Sequence, residues 1–194
     1  MMRNILLLFI LFLTSNLFSQ IRDSIYIKTD IFELVYSEKL QQPKWVKYTV
    51  LCPDGSASRK GLDFYTCDSI ITSNNLDYYK NPYDKGHLAP AASFNCDSDM
   101  LYKTFTYLNC SLQQENLNRT TWKYLEERER ELSTIHNVVV EIVCVFSDCS
   151  KVLPAGATVP DGYLKTITYG NNVEVYYFKN EKPLYTDYTK YLIK

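Results

Sequence analysis

The sequence predicts an α+β fold in which a mostly antiparallel central sheet dominates and helices flank it. Three stretches carry that expectation. Trp45–Leu51 reads WVKYTVL, with Val46, Tyr48 and Val50 alternating with Lys47 and Thr49, the period-two pattern of a half-buried strand. Residues 138–146, VVVEIVCVF, have the length and β-branching of a buried strand. Between them, TWKYLEERERELSTI sets Trp122, Leu125, Leu132 and Ile135 among charges at approximately helical spacing.

In chain order, the first 19 residues combine one Arg, an apolar run from Ile5 to Leu13 and a polar small-residue zone ending near Ser19. That is the layout of a secretory signal peptide, and the run is short for a membrane span. Residues 20–194 then form one domain, large enough for a single sizeable core. Ile31–Tyr36 reads as a strand ahead of Trp45–Leu51, PDGSASRK from Pro53 as a loop, and Ser73–Tyr83 as a second loop that delivers the chain to Asp84. The stretch from Cys96 to Tyr124 is polar and reads as irregular, feeding a helix capped by Thr120 or Thr121. VPDGYLKTITYG and VEVYYFKN add two strands, with turns at Asp161-Gly162 and Gly170-Asn171. The chain carries no internal repeat, heptad or low-complexity linker.

The net charge is −1. A protein holding nucleic acid chiefly through counterion release should be basic, so stable binding of that kind is disfavoured. Local hydrolysis of a phosphodiester is not, because a metal ion and a few well-placed cations suffice for it. The six cysteines are an even number in a chain that reads as exported, which favours disulfides; pairing by sequence proximity joins Cys52 to Cys67 and Cys144 to Cys149. There is no C-x-x-C, so a structural zinc site is not expected.

Residues 83–94, YDKGHLAPAASF, hold one of only two histidines, His87, directly after a glycine. Gly86 lets the backbone present the next side chain, so His87 is expected to be displayed, whether as a catalyst or as a capped turn residue. Asn109, Asn118, Glu126 and Arg130 follow in one loop-to-helix unit. An amide oxygen and a carboxylate are hard ligands suited to Mg²⁺, with Mn²⁺ as a substitute, and such an ion takes few protein ligands. A helix through both Asn118 and Glu126 would separate them by about 12 Å along its axis. Asn118 is therefore expected to precede the helix, and Glu126 to act through water.

D-K-G-H-L-A-P-A, followed by Tyr107-Leu108-Asn109 to Gln113 and by Asn118, Trp122, Leu125, Glu126 and Arg130, resembles the DNA/RNA non-specific endonucleases with a ββα-metal (His-Me finger) core. The family pattern is D-R-G-H, then Y-L-x-N-x-x-x-Q, then N-x-x-x-W-x-x-L-E. YSEKLQQPKWVKYTV and VPDGYLKTI resemble the strands before and after these motifs, so the likeness covers most of the mature chain. The resemblance implies a ββα finger within the fold and a nucleic acid substrate, DNA or RNA. It implies His87 as general base, Asn118 as direct metal ligand and Glu126 as a ligand through water. Arg59 and Arg130 are implied as phosphate clamps, and Lys85 and Asn109 as substrate contacts. Asn109 reads equally well as a residue that bonds loop backbone, and Trp122 reads as core.

Three departures stand out: Lys85 replaces the Arg of D-R-G-H and loses its bidentate fork, Leu112 stands where the family has Pro, and VFSDCSKVL replaces a T-G-P segment. They touch substrate handling and leave His87, Asn118 and Glu126 in place. The resulting expectation is an exported metal-dependent nuclease; the alternative is a weakened nuclease-like domain that binds or scaffolds.

Overall fold

The computed structural model describes residues 21–194, so the leader expected over residues 1–19 lies outside the described residues. Six strands form one antiparallel sheet: β1 (Ile25–Lys28), β2 (Phe32–Ser37), β3 (Gln42–Thr49), β6 (Val138–Val145), β7 (Gly162–Tyr169) and β8 (Asn172–Lys179), in the order β1-β2-β3-β6-β7-β8. The alternation read in the sequence sets the registers. Val46 faces Ile142 and Tyr48 faces Val140, and all four are buried. Gly170, at φ +52°, makes the tight turn that pairs Tyr169 with Asn172.

A separate two-stranded ribbon joins β4 (Tyr83–His87) to β5 (Cys110–Gln114), pairing Lys85 with Leu112 and His87 with Cys110. It accounts for the glycine before His87 differently from the sequence expectation. A Cβ on Gly86 would lie 2.7 Å from that of Gln113, so the residue is small because β5 presses against it.

The stretch between Cys96 and Tyr124, expected to be irregular, is ordered. Asp97 caps α1 (Ser98–Thr104) by accepting hydrogen bonds from Asp99 and Met100, and β5 follows. The expected Thr cap is also corrected. Gln114 accepts from the Leu117 amide and starts α2 (Glu115–Leu117), which runs through a π-helical segment at Asn118–Trp122 into α3 (Lys123–Ser133) without leaving helical backbone angles. Thr120 and Thr121 lie inside that run. Thr121 instead donates to the Tyr185 carbonyl.

The core lies between the sheet and this long helix, where Trp122 and Leu125 meet Tyr163, Ile167, Phe178 and Val140. The cysteine expectation is overturned: Cys52 pairs with Cys96, and Cys67, Cys110, Cys144 and Cys149 are free. Cys52 is carried to Cys96 because Leu51 and Cys52 both donate to the Ser93 carbonyl and Ala57 donates to that of Asn95. Cys144 points into the core from β6 while Cys149 is exposed in the following loop, which keeps them apart. No described helix is long and apolar enough to cross a membrane.

Candidate functional site

The ribbon and the helical run face each other across a groove of about 340 Å³ lined by Arg59, Lys85, His87, Asn118, Glu126 and Arg130, all six anticipated from sequence, together with Arg119 and Lys123, which were not. His87, the last residue of β4, is half-buried. Its ring lies 4.6 Å from that of Phe64 and 4.7 Å from that of Phe105, and its Nε2 is enclosed with no protein partner among the described residues. Burial, reinforced by the Arg59 charge, lowers its pKa to about 3. The imidazole is thus neutral across the whole physiological range. The expected display of His87 is accordingly modified, because the residue lines the groove but is walled by aromatic rings.

Asn118 does not precede the helix, which is a second correction. It opens the π-helical segment. A π-bulge inserts one extra residue, so position i+8 takes the place that i+7 has in a plain α-helix, about 20° around the axis from i rather than about 80°. That offset is what brings Asn118 and Glu126 to one face of a single helical run. The rise still holds them about 10 Å apart, consistent with one direct and one water-mediated ligand.

The Asn118 amide nitrogen donates to Asp84 Oδ2 at 2.8 Å, and Arg119 grips the same carboxylate with a fork, Nε to Oδ2 at 2.9 Å and a terminal nitrogen to Oδ1 at 2.6 Å. The Asn118 carbonyl oxygen has no protein partner among the described residues. Glu126 accepts at Oε1 from the Trp122 indole at 2.8 Å, leaving Oε2. Burial raises the Glu126 pKa to about 7, against the pull of Lys165 and with the repulsion of Glu129. Lys85 is pinned to Asp63 at 2.6 Å, over the rings of Phe64 and Tyr107.

Asn109 is the sequence-predicted site residue that the fold takes away from the groove. It is fully buried, its side chain accepting from the Ala89 amide and donating to the Ala89 and Thr104 carbonyls. Substrate contact at Asn109 is therefore corrected to a backbone clamp behind His87. Gln113 was not anticipated as a site residue: it is buried beneath Gly86 with neither side-chain polar atom paired to protein among the described residues.

Among the described residues, no three His, Cys, Asp or Glu side chains gather in the manner of an all-protein metal cage. The free Asn118 oxygen and the second Glu126 oxygen form a sparse, hard donor set. This fits a largely hydrated Mg²⁺ or Mn²⁺ and does not fit zinc.

Comparison with known proteins decides the affiliation of this geometry. A sequence model of the family described as DNA/RNA non-specific endonuclease matches residues 14–191. The chain belongs to that family. It is similar to mitochondrial endonuclease G of Bos taurus, 31% identical over 160 residues covering 76% of this chain and 50% of the relative, and to the Homo sapiens protein of the same name, 30% identical over 160 residues with 76% and 51% covered. A mitochondrial nuclease of Saccharomyces cerevisiae is 31% identical over 99 residues, 47% of this chain and 30% of the relative. The chain thus spans about half the length of the endonuclease G relatives. The crystal structure of the EndoG/EndoGI complex shares the fold, with a TM-score of 0.78 at 23% identity over 87% of this chain and 80% of that one.

In this member of the DNA/RNA non-specific endonuclease family, the residues that sequence reasoning missed left partial signals. Arg119 stands one position after Asn118 in the segment read as loop, and Lys123 lies in the first turn of the stretch read as helix. Asp84 was visible as the first letter of D-K-G-H, but its role as the acceptor that orients Asn118 needs the ribbon and the helix side by side.

Proposed function

We propose that the chain is a metal-dependent endonuclease that hydrolyses phosphodiester bonds of DNA and/or RNA. The observation that carries this reading is the convergence on one groove of a neutral, aromatic-walled His87, an amide oxygen of Asn118 left free, and cations from Arg59, Lys85, Arg119, Lys123 and Arg130. Asn118 would hold the divalent ion directly, and Glu126 would act from further along the helix through water. When bound, the ion supplies positive charge against the phosphate and the departing sugar oxygen.

The remaining work falls to the chain itself. His87 accepts a proton from the attacking water, which its depressed pKa allows without prior deprotonation. Arg130, one helical turn beyond Glu126, and Arg59, beside His87, bind phosphate oxygens from two sides of the groove. Lys85 contributes a point charge where a guanidinium would contribute a fork. Export is part of this proposal and rests on the Ile5–Leu13 apolar run and on the Cys52–Cys96 bond, which suits an oxidising compartment. The curated relatives carry mitochondrial names, so location is a separate question from chemistry.

Purified protein incubated with plasmid DNA and with RNA, with Mg²⁺ or Mn²⁺ and then with EDTA, tests the reading. Cleavage that EDTA stops is expected. Nucleic acid bound but uncut with either ion would transfer the protein to the binding-module alternative.

A further inference from the structure

The core beneath the groove contains a charge that the proposed reaction does not use. Along β7, alternation puts Tyr163, Lys165 and Ile167 on the face turned to the helix, and all three are fully buried. Lys165 Nζ stands 2.6 Å from Glu129 Oε1, itself fully buried, and 4.1 Å from the centre of the Trp122 ring. The other Glu129 oxygen accepts from the Tyr48 hydroxyl at 2.6 Å. The Trp122 indole donates in turn to Glu126. Tyr48, Glu129, Lys165, Trp122 and Glu126 therefore form one connected chain from the sheet to the groove.

A buried ion pair is a poor choice for stability alone, because well-packed apolar residues of similar volume do as well or better without desolvating two charges. The geometry here offers a different use. An ammonium over an indole face is attracted by the ring quadrupole, which fixes the ring's plane. Fixing the plane fixes the direction of the Nε1–H, and that donor occupies one Glu126 oxygen and turns the other toward the groove. Side walls from Tyr163 and Phe178, at 5.4 and 5.7 Å from the Trp122 ring, restrain the indole's position but carry no charge.

We propose that Lys165, anchored by Glu129 and Tyr48, is a positioning residue that acts through Trp122 to orient the Glu126 carboxylate. The proposal deepens the nuclease reading and rests on it for the role of Glu126. Its structural half, that Lys165 controls the Trp122–Glu126 hydrogen bond, stands independently of any activity.

Two measurements test the two halves. The chain has two tryptophans, so the amide NMR spectrum of the metal-free protein holds two indole N–H resonances, with Trp45 as internal control. Lys165→Met should shift the Trp122 indole resonance and leave that of Trp45 in place. Glu126→Gln should shift the same resonance, and combining the two changes should give less than the sum. A Trp122 resonance that ignores Lys165→Met overturns the proposal, whether or not the protein proves to be a nuclease.

The kinetic half is a double-mutant cycle with Trp122→Phe, which keeps the ring and removes the donor. With Trp122 present, Lys165→Met should lower kcat about 10–100-fold, the usual worth of an outer partner of a site ligand. In the Trp122→Phe background it should cost several-fold less, since the path through the indole is already cut and only the direct pull of the Lys165 charge on Glu126 remains. Equal losses in both backgrounds would overturn the proposal. Where Lys165→Met alone fails to fold because Glu129 is left unpaired, Lys165→Met with Glu129→Gln removes both charges, keeps an acceptor for Tyr48, and is put through the same two measurements with the same expected and overturning outcomes.

Discussion

Asn118 donates its side-chain amide to Asp84, and that single bond determines which Asn118 atom is free to meet a cation. An Asn has two chemically different ends, and with the nitrogen committed, the side-chain oxygen of this groove-lining residue is the end left without a protein partner among the described residues. Arg119 holds the same Asp84 carboxylate by a fork, which restrains the orienting group. Asp84→Ala should therefore raise the Mg²⁺ concentration needed for half-maximal cleavage about 10–100-fold, with much of the rate recovered at saturating metal. Asn118→Ala should abolish cleavage at any metal concentration while the thermal melt stays close to that of the parent. A Mg²⁺ dependence unchanged by Asp84→Ala would remove Asp84 from the positioning of Asn118.

Lys85, a groove cation, forms an ion pair with Asp63, an exposed carboxylate of the loop before β4. Asp63 is two-thirds exposed, so the pair contributes little to stability. Its negative charge does stand beside the path a phosphate would take. Asp63→Asn should lower KM by less than about tenfold and leave kcat and the melting temperature nearly unchanged. Lys85→Arg should keep or raise kcat/KM, and Lys85→Ala should lower it mainly through KM. Identical kinetics for all three variants would place Lys85 outside the substrate path.

The large sheet and the amphipathic part of the helix were legible in the sequence because each reports through its own periodicity, as in Val46-Tyr48-Val50 and Trp122-Leu125-Leu132. The ribbon was not. Lys85, Gly86 and His87 have no apolar alternation, and β4 is stabilised by pairing with β5, 23 or more positions away, which no local pattern displays. The same holds for Asn118, whose place on the helix face depends on a π-bulge that the run NRTTW does not announce. Lys165 is the plainest case. Polar residues in a strand are read as outward-facing, whereas this one faces inward because Glu129 arrives from the helix to meet it.

The cysteines make a prediction of stability. A bond between Cys52 and Cys96, 44 positions apart, restricts the unfolded chain by about 4 kcal/mol on the chain-entropy account. Mass mapping of the oxidised protein should find that one disulfide and four free thiols. Cys52→Ser should lower the melting temperature clearly, whereas Cys149→Ser should not. A Cys144–Cys149 peptide in the map would contradict the burial of Cys144 in the core.

The last prediction concerns pH and His87. The folded-state pKa near 3 lies below the usual 6.5, so between those values the unfolded chain binds a proton that the folded chain refuses. Stability from this residue is therefore complete above about pH 6.5 and drains away as pH falls toward 3, with a slope approaching 1.4 kcal/mol per pH unit, ~1.4 being the worth of one proton per unit. His87→Phe keeps the aromatic packing against Phe64 and Phe105 without the titration, and should flatten that part of the denaturation curve. The same depressed pKa leaves the imidazole unprotonated at pH 5 as well as at pH 8, so the acid limb of kcat/KM should show no inflection at 6.5 that disappears with His87. His87→Ala should cut the rate about 10²–10⁴-fold at every pH while nucleic acid binding survives. A folded His87→Ala protein that cleaves at the parental rate would reduce His87 to an aromatic filler at the end of β4.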